Sequence, residues 1–248
     1  MAQPAPRHQD AAPAPGSPAW WNARTVPPPE RGRGRPPRSF EDIVSVAADL
    51  VDELGVDGVN MRLLAERLGT GTATLYRNVA GKDELMVYVL DLRMGEIVAD
   101  YDAPEAPPKT WREVLERMTF AYRRFLVAHP NLLPLLVGRL PVGPNALTIR
   151  ERSLAALTER GFSQELASRA LTTLLQYVVG AAMAQAGSPP PDEAAAIRDY
   201  YLSLDAAAYP HVAAAAEALT GTPSDAGFAE GLNIVLDGID RRRRHGAH

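Results

Sequence analysis

The sequence predicts an all-α fold, and three observations carry that prediction. From Ser39 onward, apolar residues recur at three- and four-residue intervals, the period of a helix with one buried face. No stretch alternates apolar and polar residues for long enough to make a half-buried strand. The periodic segments are separated by Gly, Pro, Ser and Asn at the positions where helices start and stop.

Taken in order, Ser39 caps a first helix, and Asp42 three residues later completes a capping box. Its stripe is Phe40, Ile43, Ala47, Leu50, Val51 and Leu54, with Gly55 and Gly58 to end it. Asn60 caps a second helix, Met61 to Leu68, which buries Leu64, Ala65 and Leu68. Gly69-Thr70-Gly71 is a turn in which glycine admits a positive φ. A very short third helix runs from Thr72 to about Asn78. After Gly81 a long helix spans Lys82 to Asp100, with Asp83 and Glu84 at its positive N-terminal end. Thr110 opens a helix with Trp111, Leu115, Met118, Tyr122, Phe125 and Leu126 on one face, closed by Pro130. Asn131 to Val137 is a short helix, and Asn145 to Arg160 another, ended by Gly161. Ser163 caps a long helix to about Gln185. Asp192 to Leu219 is helical with a break at Pro210. The last helix, Ser224 to Arg243, carries Phe228, Leu232, Val235, Leu236 and Ile239.

The head differs in kind. Ten of the 22 prolines fall in the first 37 residues. Residues 1–38 therefore read as a disordered arm, and Trp20-Trp21 as a chance pair in a tail rather than a docking motif. The expected organisation is an arm over 1–38, a three-helix domain over 39–85 and a larger helical domain over 86–248.

Composition excludes several classes. With no cysteine there is no disulfide framework, thiolate zinc site or Cys nucleophile. Met1-Ala2-Gln3-Pro4 begins no apolar signal region. The most apolar segment, Leu171 to Ala184, is too short for a membrane span and contains Gln176. These features read as an intracellular, cytoplasmic protein with no membrane partner. A net charge of -4 argues against a wholly basic nucleic-acid coat but leaves room for local basic patches. The five histidines form no H-E-x-x-H pair. Gly161-Phe162-Ser163-Gln164-Glu165 only grazes a nucleophile elbow, and Ser163 reads better as a cap. His129 beside Pro130 reads as a helix-end residue rather than a ligand. No catalytic constellation is visible, so the expectation is no enzyme, no metal and no cofactor.

The strong signal is Met61 to Asn78. Two short helices joined by a three-residue turn have the spacing of a helix-turn-helix. Ala65 is small enough for the second helix to cross closely, and Leu64, Leu68 and Leu75 can share a core. The remaining face shows Thr72, Thr74, Tyr76, Arg77 and Asn78: hydroxyls, a guanidinium and an amide that suit base edges or phosphates in a major groove. A polar, solvated helix in an ordinary bundle would show the same spacing.

The run Glu53-Leu54-Gly55-Val56-Asp57-Gly58-Val59-Asn60-Met61-Arg62-Leu63-Leu64-Ala65-Glu66-Arg67-Leu68-Gly69, then Thr74-Leu75-Tyr76-Arg77-Asn78-Val79 and Gly81-Lys82-Asp83-Glu84-Leu85, resembles the DNA-binding domain of the tetracycline-repressor (TetR) family. That resemblance implies an all-α homodimer with an N-terminal helix-turn-helix domain on a palindromic operator. It also implies a C-terminal domain that binds a small inducer and dimerises. The family pattern implies DNA contacts at Arg62, Thr72, Thr74, Tyr76, Asn78 and Lys82, with Tyr76 and Lys82 on phosphates. Asn78 stands where the family often has histidine, and Arg77 where it is often aromatic. Farther on, Gly138-Arg139-Leu140-Pro141, Arg160-Gly161-Phe162-Ser163 and Gly180 resemble the tetracycline-repressor branch. Aligned so, Leu136 and Ala184 occupy the places of its magnesium-liganding His and Glu, which points to a metal-independent, largely hydrophobic inducer. Tyr122, Phe125, Gln176, Tyr177 and Met183 are the candidate pocket lining, though such residues at helical spacing are more often plain core.

The arm adds four arginines, Arg31, Arg33, Arg35 and Arg38, within eight residues. Arg33-Gly34-Arg35-Pro36 resembles an AT-hook, so Arg33 and Arg35 are candidates for the minor groove. One short helix reads few base pairs, which argues for two copies related by a two-fold axis. The expected interface pairs Leu171, Leu174, Val178 and Ala181 with Leu232, Val235 and Ile239; a monomer's own core is the alternative use of those stripes. The function expected is a ligand-released repressor. An activator or architectural DNA-binding protein, and an all-α enzyme, are the alternatives.

Overall fold

In a computed structural model the described residues are 12–24, 39–103, 107–137, 139–221 and 223–245, and among them every regular element is helical. The chain forms two compact units, one within Met1–Pro107 and Ala128–Ala155, the other within Pro108–Val127 and Ala156–His248. The first unit thus runs past residue 85 and takes in the whole of the helix that begins at Lys82.

The first unit starts with a helix where none was expected. Helix α1 (Pro18–Asn22) begins with Ser17 accepting a hydrogen bond from the Trp20 amide at 3.2 Å and with Pro18 in the first turn. Trp20 is buried. Its ring packs 4.8 Å from Trp21 and 5.2 Å from Tyr88, and Phe40 meets Tyr88 from another side at 4.7 Å. The guanidinium of Arg24 lies 4.3 Å above the Trp20 ring and 2.7 Å from the Glu84 carboxylate. Over residues 12–24 the expectations of disorder and of a chance tryptophan pair are therefore corrected. Two indoles on an aromatic floor bury enough apolar area to order a short segment despite its Pro-rich surroundings. Arg31, Arg33, Arg35 and Arg38 lie outside the described residues.

Helix α2 (Phe40–Gly58) carries the predicted capping box, Ser39 Oγ accepting from the Asp42 amide and Asp42 from the Ser39 amide. Gly55, at φ +74°, breaks it as expected, and one more turn follows. That break robs the carbonyls of Val51 and Asp52 of regular helical donors. Asn131 replaces them, its amide donating to both at 3.2 and 2.9 Å. The stripe buries Ile43, Ala47, Leu50 and Val51, but Leu54 is exposed, because the helix turns away at the next residue. Helices α3 (Met61–Leu68) and α4 (Thr72–Tyr76) follow, then α5 (Lys82–Tyr101), which packs along α2. Leu64, Leu68, Leu75, Leu85 and Val89 join the α2 stripe in the core.

A polar cluster ties α2 to α5 behind this core. Arg93 reaches Asp49, Asp52 and Glu96 at 2.8, 2.6 and 3.0 Å. His129, buried at the end of the next helix, places Nδ1 2.8 Å from Asp52 and Nε2 2.7 Å from Glu96. Both ring nitrogens thus lie within hydrogen-bond distance of a carboxylate oxygen. Past a 3-10 turn (Pro130–Leu132) and the short α7 (Leu133–Leu136) comes α8 (Pro144–Thr158). Its first amides, Asn145 and Ala146, are capped from afar by the Asp91 carboxylate at 3.1 and 3.4 Å.

The second unit contains α6 (Trp111–Ala128), α9 (Gln164–Ala186), α10 (Pro191–Ser203), α11 (Pro210–Ala214), α12 (Ala216–Leu219) and α13 (Asp225–His245). Ser163 caps α9 through its hydroxyl, accepting from the Leu166 amide at 3.2 Å. Arg112 fastens α6 to α13 through Asp237 and Asn233, both at 2.9 Å. Leu171, Leu174 and Val178 of α9 and Leu232, Leu236 and Ile239 of α13 are buried within one chain. That corrects the expected interface. The predicted stripes fill the protein's own core, and only Ala181 and Val235 of that set remain part-exposed. No helix among the described residues is long and apolar enough to cross a membrane.

Candidate nucleic-acid interface

The reading surface is built from α3, α4 and the start of α5. Asn60 caps α3 by accepting from the Leu63 amide at 3.0 Å, and Gly69 ends it at φ +65°. This left-handed residue reverses the chain within a three-residue turn. Leu75, fully buried, anchors α4, which packs on α3, where Leu64 and Ala65 are buried too. The helical period then turns Thr72, Ala73 and Tyr76 outward.

Thr72, Tyr76, Arg77 and Asn78 are exposed and Thr74 is half-buried. The Arg77 guanidinium donates to Thr74 Oγ1 at 3.0 Å, and the Asn78 amide donates to the Thr74 carbonyl at 2.9 Å. Thr74 thus keeps its own O–H available as a donor, while Arg77 and Asn78 are held in place rather than free. Arg62 projects from α3 with its side chain 86% exposed, held by Glu66 only at 3.4 Å. Lys82 reaches the Asp57 carbonyl at 3.5 Å, a distance too long to hold a cation firmly. Arg67, by contrast, is spent: Glu53 takes both of its terminal nitrogens at 3.0 and 2.8 Å, and that hydrogen bonding holds the Glu53 carboxyl below its usual range. From Arg67 to Lys82 the sequence has no acid, so nothing on α4 opposes a polyanion. Arg62, Thr72, Thr74, Tyr76, Arg77, Asn78 and Lys82 all belong to the first unit. Arg33 and Arg35 lie outside the described residues.

The candidate ligand residues are less united. Tyr122 and Phe125 are buried on α6 with ring centroids 6.1 Å apart. Tyr177 is half-buried, stacks 5.0 Å from Phe228 and donates its hydroxyl to the Phe228 carbonyl at 2.7 Å; burial pushes its pKa up. Gly231 makes room for that hydroxyl, since a Cβ there would overlap it. Gln176 and Met183 are exposed on α9. A cavity of about 310 Å³ opens elsewhere in the same unit, between the end of α9, Ile197, Tyr201 and Leu219. Leu136 is buried and Ala184 exposed, and among the described residues no group of His, Asp and Glu could hold a metal ion.

Sequence reading missed α1, although its signal was present: Ser17 followed by Pro18 is a helix start, and the Trp pair is its apolar face.

Residues 43–89 match the family described as bacterial regulatory proteins, tetR family, and residues 103–243 match the tetracyclin repressor-like C-terminal domain. The chain is 30% identical over 223 residues to the HTH-type transcriptional repressor DrrR1 of Streptomyces coeruleorubidus, covering 86% of this chain and 80% of that protein. It is 32% identical over 203 residues to the class A tetracycline repressor from transposon 1721 in Escherichia coli, covering 81% and 90%. The structure of apo ActR from Streptomyces coelicolor superposes with a TM-score of 0.78 at 31% identity, covering 86% of this chain and 100% of that one. ActR in complex with actinorhodin superposes at 0.73 with 32% identity, covering 81% and 94%.

Proposed function

Since the chain belongs to the tetracycline-repressor family of bacterial regulatory proteins, we propose that it is a repressor that occupies a palindromic operator as a homodimer and is released by a small molecule. The observation that carries this reading is the acid-free α4 face, with Thr72, Thr74, Tyr76, Arg77 and Asn78 flanked by Arg62 and Lys82. Tyr76 and Lys82 fasten phosphates, and Arg62 and Thr74 read base edges. Arg33 and Arg35 enter the minor groove beside it. This reading is supported by relatives that are named regulators and repressors, so no catalytic role is assigned to the chain, and its place is the cytoplasm.

The dimer contact moves to the outer side of the α9 and α13 pair, where Thr172, Thr173, Ile234, Val235 and Gly238 line an open depression of about 930 Å³. Ile234 is 69% exposed in the single chain, an isolated apolar cost that a partner copy would remove. The inducer is a largely apolar, metal-independent molecule, in keeping with the actinorhodin complex of ActR. It meets Tyr122, Phe125 and Tyr177 between α6 and α9, while Gln176 and Met183 reach it across the dimer contact. It acts only by binding the DNA-incompetent arrangement more tightly.

The test is operator binding by the purified protein on fragments it selects from genomic DNA. Tyr76→Ala is expected to weaken binding to every fragment alike. Arg62→Ala is expected to relax base preference by about 1–3 kcal/mol at one position of each half-site. Unchanged affinity in both variants would remove this surface from the interface.

A further inference from the structure

Two cavities of the first unit meet at Trp21. The larger, about 470 Å³, lies within the size range of small-molecule sites. Three separate segments wall it. Trp21 comes from α1, Met86, Val87 and Leu90 from α5, and Leu140 with Arg139 from the chain before α8. Gly143 keeps the wall open, because a Cβ there would overlap the Asp91 carboxylate and come within 2.9 Å of the Trp21 ring.

The polar groups of this cavity are unequal. Asp91 borders it, but its oxygens are occupied by the Asn145 and Ala146 amides at the start of α8. Those bonds offset its charge only in part, because burial still pushes the carboxyl above its usual range. Arg139 is exposed and has no ion-pair partner among the described residues. The site is thus an apolar, aromatic-walled space whose one cation has no ion-pair partner among the described residues. Its preferred occupant has a flat apolar body and a single acid group, since a neutral body alone would leave the guanidinium unused and a cation would be repelled.

We propose that this cavity is a binding site for a planar aromatic monocarboxylic acid, its ring system between Trp21 and the Val87–Leu90 face of α5 and its carboxylate on Arg139. The site lies within the first unit and shares no residue with the inducer contacts assigned above to the second, so it stands whether or not that assignment does. It bears on DNA reading because α5 begins at Lys82, directly after the reading helices. A ligand wedged against Val87 and Leu90 therefore acts on the base of that helix.

Calorimetric titration of the full-length protein with 2-naphthoate, and with the neutral 2-naphthalenemethanol, tests this. Saturable binding at one site per chain is expected. Arg139→Ala should weaken naphthoate by about tenfold and leave the alcohol unchanged, the loss of one charge-assisted contact. Val87→Phe should remove both by filling the space. Leu140→Asp, at a position 70% exposed and so without cost to folding, should weaken both. Tyr122→Ala, in the second unit, should alter neither. No saturable heat up to millimolar probe, binding that survives Val87→Phe and Leu140→Asp, or loss of binding in Tyr122→Ala would each overturn the proposal. An equal loss of acid and alcohol in Arg139→Ala would overturn the assignment of the carboxylate to that residue.

Discussion

Glu96 shows how single side chains hold the reading bundle to the rest of its unit. Burial alone would raise the pKa of its carboxyl, but hydrogen bonds from His129 and Arg93 overcome that and hold it below its ordinary 4.5. A carboxyl lowered in the folded state adds stability above its unfolded value and loses it as pH falls through the folded one. Glu96→Gln is therefore expected to cost about 1 kcal/mol at neutral pH, discounted for its half-exposed position. The gap between variant and parent should close as pH drops well below 4.5. Urea unfolding at the two pH values measures it, and a gap independent of pH would deny the carboxylate its role. His129 was expected to be a helix-end residue, and it stands directly after α6. Nothing in its neighbourhood of the sequence announced that Asp52 and Glu96, 77 and 33 residues away, would take its two nitrogens.

At the scale of elements, the turn between α3 and α4 contains a matched pair of glycines. Gly69 sits at φ +65° with nothing near its missing side chain, so Gly69→Ala is strained by conformation alone and should lose about 1–2 kcal/mol. Gly71 has φ -86° and caps α4 without a side-chain hydrogen bond, so Gly71→Ser should lose nothing and can supply the absent cap. Thermal melts of the two variants decide the point; equal losses would mean that the turn, not the φ, is what matters. Local signals of this kind were legible in advance. Ser39, Asn60 and Ser163 cap the helices they were expected to cap, and Gly55 and Gly69 take the positive φ of a stop. The α4 face was legible too, because Leu75 alone on five residues fixes which side is buried. The partner of an apolar stripe was not. Leu171, Leu174 and Val178 would look the same whether they met Leu232 and Ile239 of their own chain or of a second one. Helical periodicity reports that a face is covered and is silent on what covers it. Composition failed differently at Trp20, where a Pro-rich average masked five residues with a cap, a first-turn proline and two indoles.

For the whole molecule, the ordering of residues 12–24 changes what removal of the head should do. Deletion of residues 1–38 strips the floor of Tyr88 and Phe40 and leaves the buried Glu84 without Arg24. We expect a loss of stability of about 2–4 kcal/mol, the scale of removing one buried aromatic with its charged neighbour, read by urea unfolding; an unchanged midpoint would make the docked helix ornamental. Ile234→Glu should leave folding intact and convert a dimer to monomers with weakened operator binding, followed by sedimentation at micromolar protein; a dimer that persists would place the contact elsewhere. The packing of the indoles has one more consequence. Of the three tryptophans, Trp20 and Trp21 lie against Tyr88 in the first unit, and Trp111 lies 5.5 Å from Phe162 in the second. Each unit therefore carries its own fluorophore. Replacing Trp111 by Phe leaves emission from the reading unit, and replacing the pair by Phe leaves emission from the other. Two optical traces from one polypeptide then follow the halves separately through a titration with urea, acid or ligand, with no dye attached.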